Sequence, residues 1–133
     1  MPTVFAQIID GQLPARFVHT DDVAVAFLSI APLTEGHTLV APRAAVDQWT
    51  DAAEPLLQHC VSVAQRIGNA VKQAYGAPRA GLVIAGLEVP HLHIHVFPVW
   101  TLEDFDFSRA KQASDEELDQ AAALIRAALA GGS

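Results

Sequence analysis

The chain has 133 residues, enough for one domain of ordinary size, and 51% of them are hydrophobic, enough for a packed core. Its formal charge of −7, from 15 acidic and 8 basic residues without a lysine or arginine cluster, excludes the broad cationic surface that holding a nucleic-acid polymer requires. A lone cysteine, Cys60, excludes an internal disulfide framework and points to a reducing compartment. No apolar run approaches the ~18 residues of a spanning helix, and the first residues lack the basic and apolar regions of a signal peptide. The expectation is a cytoplasmic protein with no membrane partner.

Val4, Phe5, Ile8 and Ile9 recur at helical spacing and Gly11 follows as a stop, which predicts a short helix over 3–9. A β-type run from Arg16 to Thr20, the pair Asp21-Asp22 and a second run from Val23 to Leu28 predict a hairpin. Residues 31–36 read as loop, and His37 to Ala41 as a third strand that Pro42 ends. Thr50 or Asp51 is placed to cap the next helix, with Pro55 near its start. Leu56, Cys60, Val63, Ile67, Val71 and Ala74 form its apolar face; Gly76 and Pro78 end it. Gly81 to Ala85 is apolar throughout, which predicts a fourth strand buried on both faces, and Gly86-Leu87-Glu88 reads as a turn.

From Pro90 to Trp100 the chain reads P-H-L-H-I-H-V-F-P-V-W. His91, His93 and His95 alternate with Leu92, Ile94 and Val96, so a strand would line three imidazoles on one face and send the aliphatic row into a core. Residues 102–111 show no clear period. Ser114 with Glu117 is a capping-box pattern that opens a last helix over about 115–130, with Leu118, Ala121, Ala122, Ile125 and Leu129 on one face. Gly131-Gly132-Ser133 reads as a frayed tail. The order of elements implies one α+β domain over 1–133 with an antiparallel sheet, a core at 3–100 and a C-terminal extension at 101–133. His19 and His59 read as surface residues.

Three chemistries compete for the histidine row. One metal ion is badly served by three imidazoles on a straight strand, whose outer Cα atoms lie roughly 13 Å apart at ~3.3 Å per residue. No cysteine pair or His-Glu cluster is at hand to complete a shell, so neither metal nor cofactor is expected. A half-buried strand that merely turns polar residues outward is the plain structural reading. Strict alternation of three histidines beside Gly86 favours a reactive row: a neutral imidazole is a nucleophile near pH 7, and its neighbours can orient it and stabilise oxygen charge on a phosphoryl group.

The stretch H-L-H-I-H-V-F resembles the signature of the histidine triad (HIT) superfamily, and F-A-Q-I-I-D-G-Q-L-P-A and T-D-D-V-A-V-A-F-L-S-I-A-P-L-T-E-G-H-T-L-V-A-P-R are similar to its earlier segments. The resemblance covers about residues 3–100. It implies an α+β homodimer whose two five-stranded sheets join across the long helix and the fourth strand. It implies nucleotidyl hydrolysis at the α-phosphorus of a nucleoside phosphoramidate or related conjugate, with no metal required. His93 would be the nucleophile, His95 would contact the phosphate and assist the leaving group, His91 would orient the row, and His37 would stand beside it. A histidine at 95, where the nucleotidyltransferase branch has glutamine, favours the hydrolase branch. For a purine nucleotide the resemblance points to Val4, Phe5, Ile8, Phe27, Ser29, Ile30 and Leu39, with Gly86, Leu87 and Glu88 near the phosphate.

The chain departs from the family pattern in four respects. Thr3 and Ala6 stand where many members have the cysteines of a zinc site, and Ala45 where a downstream histidine is common. Ser29 replaces a ribose-binding aspartate, and Leu87-Glu88 replace polar phosphate contacts. Two alternatives follow: a dinucleoside polyphosphate hydrolase, or a nucleotide- or partner-binding module with little catalysis.

Overall fold

A computed structural model describes residues 2–131. The elements are α1 (Val4–Ile9), β1 (Phe17–Thr20), β2 (Ala24–Leu28), β3 (Thr38–Pro42), α2 (Glu54–Tyr75), β4 (Arg79–Val83), β5 (Ile94–Val99) and α3 (Asp115–Gly131), with short 3-10 turns at Trp49–Asp51, Leu102–Phe105 and Phe107–Arg109. The strands form one five-stranded antiparallel sheet in the order β1-β2-β3-β5-β4. The expected α+β class and antiparallel sheet are therefore present.

Local chemistry explains most boundaries. The Thr3 hydroxyl accepts the Ala6 N–H and caps α1, and Gly11 takes the left-handed conformation that ends it. In the β1–β2 turn, Asp21 Oδ1 accepts the N–H groups of Val23 and Ala24. Gly76 closes α2 in the left-handed region. The Ser114–Glu117 capping box opens α3, with each side chain accepting the other residue's N–H.

The sheet has two differently covered faces. Ala24, Ala26, Leu28, Val40, Ile94 and Val96 face α2 and α3 and pack with Cys60, Val63, Ile67, Val71, Leu118, Ala122 and Ile125. Val25, Phe27, Leu39 and Ala41 point the other way and meet Phe5 of α1. Strand alternation thus divides the chain's apolar residues between a large core under the long helix and a smaller one under α1.

Four expectations are corrected. The cap of α2 is Ala53, which makes no side-chain hydrogen bond; Thr50 and Asp51 lie in the preceding 3-10 turn. The fourth strand is Arg79–Val83, and it is not buried on both faces: only Gly81 is buried, and Leu82 is 48% exposed. Its apolar composition suggested an interior strand, but topology places it at the sheet edge, where with α2 it lines an open groove of about 830 Å³. The histidine strand begins at Ile94, so His91 and His93 precede it. β3 pairs with β5 only as far as Val40 opposite Ile94, and the Leu92 N–H turns to the Val46 carbonyl. Finally, Gly131 is the last residue of α3, while Gly132 and Ser133 lie outside the described residues.

Candidate active site

His95 is the most firmly held member of the row. It sits in β5 between Leu39 of β3 and Val83 of β4. His37 lies just before β3 and is 2% exposed, with its carbonyl accepting the Ser29 N–H. It follows Gly36, whose φ of +89° suits glycine and whose missing Cβ makes room for the Tyr75 ring. His91 and His93 are held by backbone carbonyls rather than by strand pairing. His91 Nε2 lies 2.8 Å from the Pro42 carbonyl, and His93 Nδ1 lies 2.7 Å from the His91 carbonyl.

These backbone partners fix the tautomers, because an amide only donates and a carbonyl only accepts. His93 must carry its proton on Nδ1, which leaves the Nε2 lone pair free. His91 must carry its proton on Nε2. The Leu33 N–H donates to His37 Nδ1 over 3.0 Å, so neutral His37 is protonated on Nε2 and donates to His95 Nδ1 over 2.9 Å. His95 consequently presents an Nε2–H. Adjacent rings therefore offer a lone pair and a donor, with centroids 5.0 Å apart.

Electrostatics favour the same neutral states. Burial, followed by the neighbouring imidazoles of His95 and His93, pushes His37 down to about 3. Burial, with a contribution from His93, lowers His95 to about 4. His93 also lies below the ordinary imidazole value, chiefly through burial; the His91 carbonyl and Glu88 pull it the other way.

Aromatic rings flank the row. Phe5 meets His93 edge-on at 4.8 Å, and Phe107 meets His95 edge-on at 5.0 Å. Phe27 and Leu39 belong to the core beside Phe5, with Ile8 partly buried against it. The remaining expected pocket residues are less gathered. Val4 is 43% and Ile30 63% exposed, and the Ser29 hydroxyl accepts the Ala31 N–H of its own loop. Gly86 has a φ of +73°, Leu87 is 93% exposed, and Glu88 is exposed just before Val89, which packs on the smaller core.

Two features escaped the sequence. Phe107 lies in a stretch without periodicity, so nothing there signalled contact with His95. His19 and His59 are not simply surface residues: their Nε2 atoms lie 2.6 and 2.9 Å from the same Asp21 Oδ2. The hairpin pair Asp21-Asp22 hinted at a turn but not at a helix histidine reaching it.

Known proteins resemble the chain in sequence and in fold. A family model described as HIT domain matches residues 10–101. An uncharacterized HIT-like protein of Borreliella burgdorferi is 34% identical over 85% of this chain and 86% of its own. The adenosine 5'-monophosphoramidase HNT1 of Saccharomyces cerevisiae is 27% identical over 86% of this chain and 80% of its own. The solved structure of a zinc-bound histidine triad family protein from Mycobacterium smegmatis superposes with a TM-score of 0.84 at 30% identity, covering 96% of this chain and 93% of that one.

Proposed function

The chain belongs to the HIT domain family, and on that premise we propose that it is a nucleotidyl hydrolase acting on nucleoside phosphoramidates through a covalent adduct at His93. The observation that carries this reading is the hydrogen bond from His93 Nδ1–H to the His91 carbonyl, which leaves Nε2 as an unprotonated nucleophile in the row. Its neighbour His95 offers an Nε2–H suited to a phosphoryl oxygen or a departing atom.

The proposed reaction has two steps. With the bridging nitrogen first protonated by solvent, the His93 Nε2 lone pair bonds to the α-phosphorus, the phosphorus–nitrogen bond breaks with its electron pair going to nitrogen, and the neutral amine departs. Water then attacks the same phosphorus, the bond to His93 breaks, and nucleoside monophosphate and a proton are released. A purine ring would pack beside His93 against Phe5, which the buried Phe27 and Leu39 back. No step uses a metal. Thr3 and Ala6 lack the donor atoms of the cysteines expected from the family pattern, and no cluster of three His, Cys, Asp or Glu among the described residues could hold one.

We also propose a homodimer. The groove between α2 and β4 is open, with Leu57, Val61, Ala80 and Leu82 lining it beside the polar Gln65, Asn69 and Arg79, and β4 has an unpaired edge. Sedimentation of the purified chain at a mass of two copies is expected; a monomer at micromolar concentration would refute the dimer.

The reaction is tested with adenosine 5′-phosphoramidate and His93→Ala. Turnover by the wild type and none by a folded variant is expected, with a nucleotidyl adduct on His93 trapped by rapid acid quench. Normal turnover by His93→Ala would overturn the mechanism. The exposed Glu88 and the inward-bonded Ser29 hydroxyl favour one second reading, a nucleotide-binding module. It predicts adenosine monophosphate binding without wild-type turnover.

A further inference from the structure

The segment between β5 and α3 forms a strap whose polar groups serve its own turns. The N–H groups of Trp100 and Thr101 both donate to Asp104 Oδ2, at 2.8 and 3.0 Å. The Ser108 N–H and hydroxyl both donate to Asp106 Oδ1, and Arg109 Nη1 donates to the Glu103 carbonyl. Its ends are anchored separately. Phe105 stacks edge-on against Phe97 at 5.0 Å, and its ring lies where a Cβ on Gly81 would stand. The Ala113 N–H donates to the Ile30 carbonyl at 2.9 Å.

Phe107 sits between these anchors. Its ring meets the His95 imidazole at 5.0 Å and 78°, yet the residue remains 41% exposed. Part of the side chain is therefore fixed against the imidazole while another part faces open space. His95 Nδ1 is occupied by His37, so the only free polar atom of the ring beside Phe107 is its Nε2–H donor. Asp104, Asp106 and Arg109, the charged groups nearest in sequence, are already bonded within the strap. What the strap presents beside His95 is an aromatic surface.

We propose that Phe107 is a specificity-determining residue that packs against the apolar part of the leaving group, so that phosphoramidates of aryl or alkyl amines are favoured over the unsubstituted phosphoramidate. The inference rests on the hydrolase reading above. It assigns the two flanking rings different duties: Phe5 beside the nucleophile, Phe107 beside the group that departs. An aromatic or aliphatic contact of this kind is worth roughly fivefold in kcat/KM.

The test compares adenosine 5′-phosphoramidate, whose leaving group is ammonia, with its N-benzyl derivative. Ammonia is too small to use the Phe107 surface and serves as the internal control. In Phe107→Ala the ratio of kcat/KM for the benzyl over the ammonia substrate falls about fivefold, and the ratio, not the absolute rate on either substrate, is the readout. Phe107→Leu, which keeps an apolar cover, gives an intermediate ratio and carries the test if the alanine variant does not fold. An equal loss on both substrates, or an unchanged ratio, overturns the proposal and leaves the hydrolase reading standing. Absence of wild-type turnover on both substrates removes the hydrolase reading and this inference together.

Discussion

His37 Nε2 stands 2.9 Å from His95 Nδ1, and the direction of that hydrogen bond is dictated from the far side of His37 by the Leu33 N–H. His95 cannot take a second proton on Nδ1 without opposing the proton already there. At pH 7, nitrogen-15 NMR is expected to show Nε2–H tautomers for His37, His91 and His95 and an Nδ1–H tautomer for His93. An Nε2–H tautomer at His93 would remove its claim to be the nucleophile.

Breaking the pair tests how much the orientation matters. His37→Leu leaves His95 Nδ1 without a donor, so its ring can exchange tautomers. Single-turnover kinetics should show adduct formation slowed about ten- to a hundredfold, less than the loss from His93→Ala. Full activity in His37→Leu would reduce His37 to a packing residue.

Acid stability follows from the same burial. His37 falls to about 3 and His95 to about 4, while in the unfolded chain both titrate near ~6.5. The unfolded state therefore binds protons first, and stability must fall as pH drops from about 6.5 toward 4. For His37 alone the loss between pH 7 and 5 is about 2 kcal/mol. Urea midpoints at the two pH values should differ more in the wild type than in His37→Leu. The reverse order would contradict the burial argument.

Gly36 is constrained twice. Its φ of +89° disfavours any Cβ, and a Cβ built there would lie 2.5 Å from the Tyr75 ring. Gly36→Ala should cost about 1–3 kcal/mol in chemical denaturation. Combining it with Tyr75→Ala should recover part of that loss, because the steric component disappears while the backbone component stays. Strict additivity would show that the ring is not the obstacle.

Asp21 joins three elements: its own turn through Val23 and Ala24, β1 through His19, and α2 through His59. Burial is the largest single influence and raises its carboxyl, but hydrogen bonds from His19, Ala24, His59 and Val23 together outweigh it and hold the group well below the usual range. Asp21→Asn keeps an oxygen for the turn but loses the charge that both imidazoles meet. Thermal or urea unfolding should report a loss of about 1–2 kcal/mol. His19→Ala and His59→Ala should each lose less in the Asn background than in the wild type.

The sequence revealed the residues that announce themselves by period. The alternation at 91–96 separated the imidazoles from the core-facing aliphatics, and the spacing in α2 identified Cys60, Val63, Ile67 and Val71, all of which are buried. Gly11 and Ser114 marked element ends through backbone chemistry that needs no tertiary partner. Contacts made across the fold were not legible. Neither the edge position of β4 nor the meeting of Phe107 with His95 leaves a local pattern. His59 looked like one more polar residue on a helix face because its partner lies on a hairpin elsewhere in the chain. Of the residues expected to line a nucleotide pocket, Phe5, Phe27 and Leu39 gather in one buried cluster, whereas Ile30 and Leu87 turn to solvent.

The strap also bears on how the site is assembled during folding. Phe107 follows His95 closely in the chain, so their contact closes a short loop as soon as β5 is in place. Phe5 and His93 come from distant parts of the sequence, and their contact requires the hairpin, β3 and α2 to be arranged first. Loop closure disfavours long separations, so the ring beside His95 belongs to early structure and the ring beside His93 to late structure. Conditions that loosen α1 should expose His93 while the strap stays docked, and hydrogen exchange at Ala6 and Ala113 would separate the two events.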